Sequence, residues 1–476
     1  MPRRPRRKRQ RKRSSIIVVL LLVCLVVIVS LSYFLTRPQV PAPPSPSQPV
    51  QPFVITPENS EYTTEYPTQT NGTEPNAIAV DAHGNVWFAL WNLSSIAELI
   101  PANNTIHEYR VPGLQEGSMI TWSIDVDSSR GIVWFPELTS NSIWAFNMSS
   151  DKFIQYKLPT ANAFPFGLTI DSNHDVWFTE FYGNKIGELT TQGSIIEIPI
   201  PENGELEASG ITTDPSGRVW FTLPGVDSIG YYYQNNFTIQ NLTGLINTPV
   251  GIVIDLQGNI WITQHGPSFI SELNFTNHYI KTISTSNNSF ASSLPYFIHV
   301  DSNGNIWFNE HQGNAMSEFI PASNTLIEYF IPTEIEGGGN ISDSLTSALS
   351  QSGQPWYTEL LSGKVGTVNT SKALSLNLNV LNYSQSDANI ADGNEISLGL
   401  SITSQSGAVT LHGYTGNFTT QGNFTFSFSP EADNVDTFRS VVTIENSGAT
   451  AGVYFVTITA RTTSLAVSKI IEITVP

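Results

Sequence analysis

Apolar and polar residues alternate in short runs along most of the chain, and one pattern recurs seven times. Each copy has an apolar stretch ending in Asp or a small polar residue, then a Gly- and Asn-rich turn, then an apolar stretch built on Trp. The tryptophans are separated by 47, 43, 43, 41, 46 and 49 residues. They are Trp87, Trp134, Trp177, Trp220, Trp261, Trp307 and Trp356. Units of about 45 residues with four short strands are typical of β-propeller blades.

Closure of the ring can also be inferred from the pattern. The seventh unit has no good fourth strand, whereas EYTTEYP at 61–67 has the pattern of the outer strands in other units. We therefore predict an all-β, seven-bladed β-propeller over residues 61–372, in which 61–67 closes blade seven. Closure removes an open sheet edge that would otherwise aggregate. The seven tryptophans are expected to pack between blades.

The C-terminal part follows a different pattern. After Ala373 the Trp repeat stops, and seven short segments alternate with period two between turn signals. This predicts a β-sandwich over 373–476. Residues 451–460 resemble the penultimate strand of immunoglobulin-like modules in exported archaeal and bacterial proteins, so an immunoglobulin-like sandwich is expected. It contains no catalytic grouping, and a spacer or adhesive role is the simplest interpretation.

The N-terminal segment predicts a membrane anchor. The tail at 1–15 has nine basic residues and no acidic one, and 16–35 is almost entirely apolar. Twenty residues rise about 30 Å as a helix, which matches the hydrocarbon core of a bilayer. The Pro-rich stretch at 36–60 predicts an extended stalk. Because basic residues stay inside, we expect a single-pass protein of the cell membrane with most of its chain extracellular.

Charge excludes one class of partner. The 476 residues include 22 Lys+Arg and 40 Asp+Glu, for a net charge of -18. Without the nine basic residues of the tail, the remainder carries 13 - 40 = -27. Nucleic acid is not expected as a partner, because phosphates need a basic face. The single cysteine, Cys24, excludes a disulfide scaffold. A charged fraction of only 13% suits acid or high-salt surroundings.

Acceptor sequences for N-glycosylation, Asn-x-Ser/Thr, are frequent in the part expected outside the cell. This density on the exported side predicts a glycoprotein. The acceptors are Asn71, Asn92, Asn103, Asn147, Asn236, Asn241, Asn274, Asn287, Asn340, Asn369, Asn382, Asn417 and Asn423.

Strands such as WFTE at 177–180 and IGEL at 186–189 resemble those of streptogramin (virginiamycin B) lyase propellers, with NHL-type propellers as wider relatives. The resemblance covers about 61–370 and is more specific for fold than for activity. It implies an enzyme that opens a cyclic depsipeptide by elimination at an ester, using Mg²⁺. It also implies catalytic histidines at the start of the innermost strands of late blades, with glutamates near the same channel mouth.

The histidines implied by the resemblance can be sought eleven residues before each blade tryptophan, or twelve in blade two. Those positions hold Asn76, Trp122, Phe166, Ser209, Val250, Tyr296 and Leu345. The elimination needs a base with a pKa near neutrality, which none of these side chains supplies. The chain therefore departs from the family at the residues that carry the reaction.

Other polar residues remain near the predicted mouth. Glu180, Glu310 and Glu359 lie three residues after a blade tryptophan, and together they could bind Mg²⁺ or Ca²⁺ through oxygen ligands. His265 and His311 follow one residue further on and are candidate catalytic bases, with Glu310 as a third catalytic candidate. In the alternative interpretation the glutamates pair with basic or backbone groups at strand ends, and the histidines lie in solvated loops.

Aromatic residues suggest binding. Trp91, Trp122, Phe166 and Tyr296 are candidate ligand contacts, because aromatic side chains bind sugars and apolar molecules and anchor interfaces. Packing beneath loops is the alternative. The leading hypothesis is a membrane-anchored extracellular module that binds or adheres to a glycan, a surface protein or a small molecule. The alternatives are a metal-dependent C–O lyase or hydrolase of the streptogramin lyase type, acting on a small ester or lactone, and a cell-surface coat component.

Overall fold

The computed structural model describes residues 52–68, 73–115, 117–118, 120, 122–275, 279–285, 293–333, 344–381, 383, 389–391, 393–405, 408–415, 424–430, 432–433 and 436–476. The described residues all belong to one compact unit, Pro49–Pro476. The predicted anchor at 16–35 lies outside the described residues, and so does most of the stalk. Among the residues that are described, no helix has the length and apolar character needed to cross a bilayer.

Each propeller blade is an antiparallel meander of four strands, numbered here in chain order. The chain begins with β1 (Phe53–Val54), β2 (Glu58–Asn59) and β3 (Thr63–Pro67). Blade one is β4 (Pro75–Val80), β5 (Val86–Leu90), β6 (Ser95–Ile100) and β7 (Thr105–Arg110). Blade two is β8 (Asp125–Asp127), β9 (Ile132–Glu137), β10 (Ser142–Asn147) and β11 (Lys152–Lys157). Blade three is β12 (Pro165–Ile170), β13 (Val176–Glu180), β14 (Lys185–Leu189) and β15 (Ile195–Pro199).

The later blades repeat the arrangement. Blade four is β16 (Ile211–Thr213), β17 (Val219–Leu223), β18 (Ser228–Tyr233) and β19 (Asn236–Asn241). Blade five is β20 (Pro249–Ile254), β21 (Ile260–Gln264), β22 (Phe269–Asn274) and β23 (Tyr279–Ser284). Blade six is β24 (Pro295–Val300), β25 (Ile306–Glu310), β26 (Ala315–Ile320) and β27 (Thr325–Phe330). Blade seven has β28 (Ser347–Leu349), β29 (Pro355–Glu359) and β30 (Lys364–Val368). Short 3-10 helices cover Trp91–Leu93, Pro224–Val226 and Pro321–Ser323.

The fourth strand of blade seven comes from the start of the chain. Strand β3 pairs antiparallel with β30, from Thr63 opposite Val368 to Pro67 opposite Lys364. Strand β1 pairs with β7 of blade one, and β2 pairs with β3. The folded body therefore begins before residue 60, where the stalk was predicted to end. The physical reason is that Phe53 and Ile55 pack against the apolar core between blades seven and one.

The recurring Asp and Trp contact each other directly. Asp171 Oδ1 accepts the backbone N–H groups of Asn173 and Asp175 at 2.8 and 3.0 Å, which closes the turn. Its Oδ2 accepts the indole N–H of Trp177 at 3.2 Å. The same Asp–Trp bond occurs in four other blades, through Asp81, Asp214, Asp255 and Asp301. The six-residue spacing is therefore explained by one local hydrogen-bonded unit.

Each blade tryptophan packs into the following blade. Trp177 of blade three shares a core cluster with Val219 and Phe221 of blade four. Trp356 of blade seven does the same with Phe88 of blade one. The predicted role of the tryptophans between blades is confirmed.

Hydroxyl groups on the second strands also join neighbouring blades. Thr222 Oγ1 accepts the backbone N–H of Gly210 at 2.9 Å and donates to the carbonyl oxygen of Val250, in the next blade, at 2.9 Å. Equivalent bridges are made by Thr179 and Thr263. A Cβ atom on Gly210 would lie 2.1 Å from the Val250 oxygen, so glycine is required for this close approach.

Replacing Thr222 with valine is expected to lower the free energy of unfolding by about 2 kcal/mol, because it leaves a buried N–H and a buried carbonyl without partners. Urea denaturation would measure the change. Thr238→Val is the matched control, since Thr238 is exposed on an outer strand of the same blade. Equal stability of the two variants would show that the bridge contributes nothing.

The C-terminal part forms two sheets over a common core. The strands are β31 (Leu376–Leu381), β32 (Glu395–Ser404), β33 (Val409–Thr415), β34 (Phe424–Ser429), β35 (Ala432–Asp433), β36 (Thr437–Asn446), β37 (Gly452–Arg461) and β38 (Leu465–Val475). One sheet has the order β31-β32-β36-β34. The other, β38-β37-β33-β35, continues blade six because β38 pairs with β27. An immunoglobulin-like kinship stays a prediction.

Candidate ligand-binding mouth

The innermost strands of all seven blades surround a central cavity of about 280 Å³. One end of this cavity is called the mouth. It is surrounded by the loops that join second to third strands and by the loops that join one blade to the next. Five of the seven inner-strand positions singled out in the sequence line the cavity. They are Trp122, Phe166, Ser209, Val250 and Tyr296.

A ring of unusual backbone conformations shapes the mouth. In blades three to six, a non-glycine residue with φ between 50° and 57° lies two residues before Phe166, Ser209, Val250 or Tyr296. These residues are Phe164, Glu207, Thr248 and Leu294. Such conformations cost on the order of 1 kcal/mol or more and concentrate at functional sites. Three of their carbonyl oxygens accept hydrogen bonds of 3.0 to 3.2 Å from the residue after the second strand. The donors are Phe181, His265 and His311.

Six aromatic side chains on blades one to three form a continuous group, called the aromatic arc. Its members are Trp91, Trp122, Phe164, Phe166, Phe181 and Tyr182. The ring centroids of Trp91 and Trp122 are 6.0 Å apart, and those of Trp122 and Phe166 are 5.1 Å apart. Phe166 contacts Phe181 at 5.5 Å, and Phe181 contacts Tyr182 at 5.0 Å. Tyr182 is 63% exposed. The arc thus combines predicted contacts with three residues that the sequence did not single out.

Two polar atoms near the arc lack hydrogen-bond partners among the described residues. Asn76 is fully buried, and its Nδ2 donates to the carbonyl oxygen of Ile120 at 2.8 Å. Its Oδ1 has no partner, and neither does the indole N–H of Trp122. Unpaired buried polar atoms of this kind call for an explanation, and a nearby binding site is one.

The two predicted histidines meet on the other side of the mouth. His265 Nε2 and His311 Nδ1 are 3.4 Å apart, and the ring of Tyr296 contacts both imidazoles. Burial, reinforced by the neighbouring His311, lowers the pKa of His265 to about 3. His265 is therefore an uncharged imidazole at neutral pH. Catalytic candidate Glu310 is buried within its own blade.

The cavity wall holds two further titratable groups that the sequence analysis did not select. Burial raises the pKa of Asp125 to about 6, although backbone N–H groups partly oppose the shift. Burial lowers the pKa of His299 to about 4, and its Nε2–H donates to the carbonyl oxygen of Ser347 at 2.7 Å. Asp125 and His299 both lie on inner strands. The alternation of side chains along these strands could have identified the two residues as facing the cavity.

The predicted metal-binding glutamates turn away from a common centre. A Cβ atom on Gly183 would lie 2.3 Å from Glu180 Oε2, and the same holds for Gly313 and Glu310. The glutamate side chains are therefore folded beneath the loops that follow their strands. Ser362 Oγ donates to Glu359 at 2.8 Å within blade seven.

Each of these glutamates faces a second carboxyl of its own blade. Burial, then the charge of Glu197, raises the pKa of Glu180 to about 8. Burial, then the charge of Glu65, raises the pKa of Glu359 to about 8. Burial and the neighbouring Glu328 raise the pKa of Glu310 well above its ordinary value. The three acid pairs are Glu180 with Glu197 in blade three, Glu310 with Glu328 in blade six, and Glu359 with Glu65 in blade seven.

The prediction that Glu180, Glu310 and Glu359 share a metal ion does not fit this arrangement. In the part of the chain that the structure describes, no group of three His, Cys, Asp or Glu side chains is placed to hold an ion. The physical reason is that each carboxyl is held within its own blade: Ser317 donates to Glu310 and Ser362 to Glu359. Both oxygens of Glu180 are buried without a hydrogen-bond partner among the described residues, so the pairing with basic or backbone groups in the alternative interpretation is not found for these three side chains either. These residues therefore do not fit the Mg²⁺ implied by the family resemblance or the predicted Ca²⁺.

Seven of the predicted glycosylation acceptors lie in described residues. Asn92 and Asn241 are on the side of the mouth, and five lie at the opposite end, next to the third strands or at the start of the fourth. Those five are Asn103, Asn147, Asn236, Asn274 and Asn369. Outside the described residues are Asn71, Asn287, Asn340, Asn382, Asn417 and Asn423. Glycosylation stays a prediction.

The fold and its mouth define a seven-bladed β-propeller with an aromatic cleft at one end of its channel. Residues 61–342, more than half of the chain, match the sequence model of the virginiamycin B lyase family. The chain belongs to that family, and the resemblance seen in its strands is confirmed.

Similar proteins carry the same fold. The virginiamycin B lyase of Bacillus licheniformis is 41% identical over 44 residues, which is 9% of this chain and only 15% of that enzyme. A streptogramin B lyase structure is 27% identical, with a TM-score of 0.57, over 65% of this chain and 97% of that one. A catalytically inactive histidine-to-alanine variant of the Staphylococcus aureus virginiamycin B lyase, with quinupristin, is 25% identical with the same TM-score, over 65% and 99% of the two chains.

Proposed function

We propose that this chain is a binding protein displayed at the cell surface, and that its ligand is held at the propeller mouth. The aromatic arc carries the proposal. It presents several rings side by side around an exposed tyrosine, at the end of the channel where the inner strands have no histidine. The expected anchor at 16–35 and the predicted acceptors for glycosylation support display outside the cell.

The arc suits a ligand with flat or apolar faces. Aromatic side chains bury a large area with few rotatable bonds, so they gain contact energy at a small cost in entropy. Phe164 and Phe181 are joined to rigid strand ends by the backbone bond at 3.0 Å. The arc is therefore formed before a ligand arrives, which favours affinity.

Quinupristin is a suitable first probe, because a propeller of the same family has been determined with it. We expect the full-length chain in lipid nanodiscs to bind quinupristin saturably in isothermal titration calorimetry. Trp122→Leu should weaken binding at least about tenfold, since central aromatic anchors dominate such sites. Tyr279→Leu is the control, because Tyr279 is an exposed aromatic on an outer strand of blade five. No saturable binding, or equal binding by both variants, would contradict the proposal.

A lyase or hydrolase that acts at the same mouth is the second candidate, and the histidine pair favours it. Because its pKa is about 3, His265 is a weak proton acceptor at neutral pH, so catalysis at the mouth would depend on the imidazole of His311, which lies 3.4 Å away. Chromatography with mass spectrometry on the same samples separates the candidates. Elimination gives a ring-opened product of unchanged mass, hydrolysis adds one water, and recovery of intact quinupristin supports binding alone.

A further inference from the structure

The loops of the mouth have an unusual charge composition. Among the described residues, the loops that join a second to a third strand, and those that join one blade to the next, contain no Lys or Arg. The same described loops contain Glu74, Glu202, Glu205, Glu207 and Asp227. The described loops of the mouth therefore carry negative charge and no positive charge of their own, which favours cations. Lys185 and Lys364, at adjoining strand ends, are paired with the carboxylates of Glu197 and Glu65.

Glu207 brings one of these charges into the mouth itself. It is half-buried in the ring of left-handed residues, with φ 54°, at the position that Phe164 occupies in blade three. Among the described residues it forms no ion pair. Burial, then the charge of Glu205, raises its pKa. Blade four thus places a carboxyl between the aromatic arc of blades one to three and the histidines of blades five and six.

The other polar groups near the mouth add no positive charge that would repel a cation. His265 is uncharged at neutral pH and adds no positive charge. The unpaired Oδ1 of Asn76, in the blade next to Trp122, contributes the negative end of an amide dipole. The faces of Trp, Tyr and Phe rings are also electron-rich and attract cations, most strongly when water is excluded.

We propose that the ligand held at the mouth is an organic ammonium cation, with its charged group against the aromatic arc and within the field of Glu207. This inference rests on the proposed binding function and adds the chemical class of the ligand. It does not depend on any catalytic step.

Choline and its uncharged isostere test the inference. The isostere is the alcohol in which a tert-butyl group replaces the trimethylammonium group, so the two probes differ in charge but not in shape. With the full-length chain in nanodiscs, we expect choline to bind at least about tenfold more tightly. Glu207→Gln should reduce choline affinity about threefold or more and leave the isostere unchanged. Glu395→Gln, at an exposed site of the C-terminal domain, is the matched control.

The outcomes distinguish the two proposals. If quinupristin binds but choline and its isostere bind equally, the ammonium class is wrong and the binding function stands. If neither probe nor quinupristin binds, the binding function fails. If Glu207→Gln and Glu395→Gln weaken choline binding by the same factor, the mouth carboxyl is not involved and the inference is overturned.

Discussion

Replacing Lys364 with methionine is expected to lower the free energy of unfolding by about 3 kcal/mol, because it leaves the buried carboxylate of Glu65 without its cation. The Lys364 ammonium lies 2.7 Å from Glu58 Oε2, 2.8 Å from Glu65 Oε2 and 3.0 Å from the Thr333 hydroxyl. Glu65 is 2% exposed. Loss of the ammonium therefore places uncompensated charge at the seam of the ring.

This ion pair has more than a local role, since Glu65 lies on β3. That strand comes from the start of the chain and closes blade seven against β30, to which Lys364 belongs. Weakening the pair weakens the contact that joins the first and last parts of the propeller. Methionine is unbranched, only one atom shorter than lysine and uncharged, so the variant tests the charge rather than the packing of the methylene groups.

Chemical denaturation at neutral pH would measure the effect, with Lys157→Met as the control. Lys157 is exposed on the outer strand of blade two, and surface changes of this kind usually stay within about 0.5 kcal/mol. Adding Glu65→Gln to the Lys364 variant should recover part of the loss. A Lys364 variant as stable as the control would show that ring closure depends on backbone pairing alone.

The protein is expected to be more stable in mild acid than at alkaline pH, by about 3 kcal/mol or more between pH 5 and pH 8. Four buried glutamates are responsible. The pKa is about 8 for Glu180 and Glu359 and about 7 for Glu318, and that of Glu310 is raised well above its ordinary value. Burial is the largest cause in each case.

The direction follows from proton binding. A carboxyl whose pKa is higher in the folded chain than in the unfolded chain binds its proton more tightly when folded. Its stabilising contribution is complete below the unfolded pKa, near 4.5, and is lost as the pH rises through the folded value. Each such group contributes a slope of up to about 1.4 kcal/mol per pH unit in that window. Glu61 and Glu197 have lowered pKa values and act oppositely, but only in stronger acid. His265 and His299, whose pKa values are lowered to about 3 and 4, also act oppositely below about pH 6.5, where the unfolded imidazoles bind protons, and they offset about two of the four carboxyl contributions there.

Thermal or urea unfolding across this pH range would measure the slope. Glu180→Gln should flatten it by the share of one carboxyl, because an amide can occupy the site without titrating. Blade five already has Gln264 at the equivalent position, so the exchange fits the fold. Glu395→Gln, at an exposed site, should leave the slope unchanged. Stability that rises from pH 5 to pH 8 would refute the prediction and the suggestion of acid surroundings.

Local signals made the propeller predictable. The Asp and Trp six residues apart form a hydrogen bond within one turn, so their spacing can be recognised without knowledge of the rest of the chain. Threonine recurs two residues after the tryptophan in four blades, although its bond to the next blade was not foreseen. The joining of β38 to blade six was also missed, because strand pairing across more than a hundred residues leaves no local pattern.

The mouth was predictable only in part. Trp91, Trp122 and Phe166 were candidate contacts and belong to the arc, and the two histidines selected near the mouth meet each other. Phe181 and Tyr182 were missed, although Phe181 occupies the same place in its blade as His265. The sequence placed the three glutamates correctly near the mouth, and this position suggested a metal site. The direction of their side chains could not be known from the sequence.

The amino-acid sequence was sufficient for the number of blades and the source of the closing strand, because both follow from the spacing and the strand pattern of the repeats. Only the tertiary structure decided which side chains meet. Residues of neighbouring blades are about 45 positions apart along the chain. Their contact depends on the left-handed turns and glycines that bring strand ends together. For that reason only the structure shows that Trp122 of blade two meets Phe166 of blade three, and that His265 of blade five meets His311 of blade six.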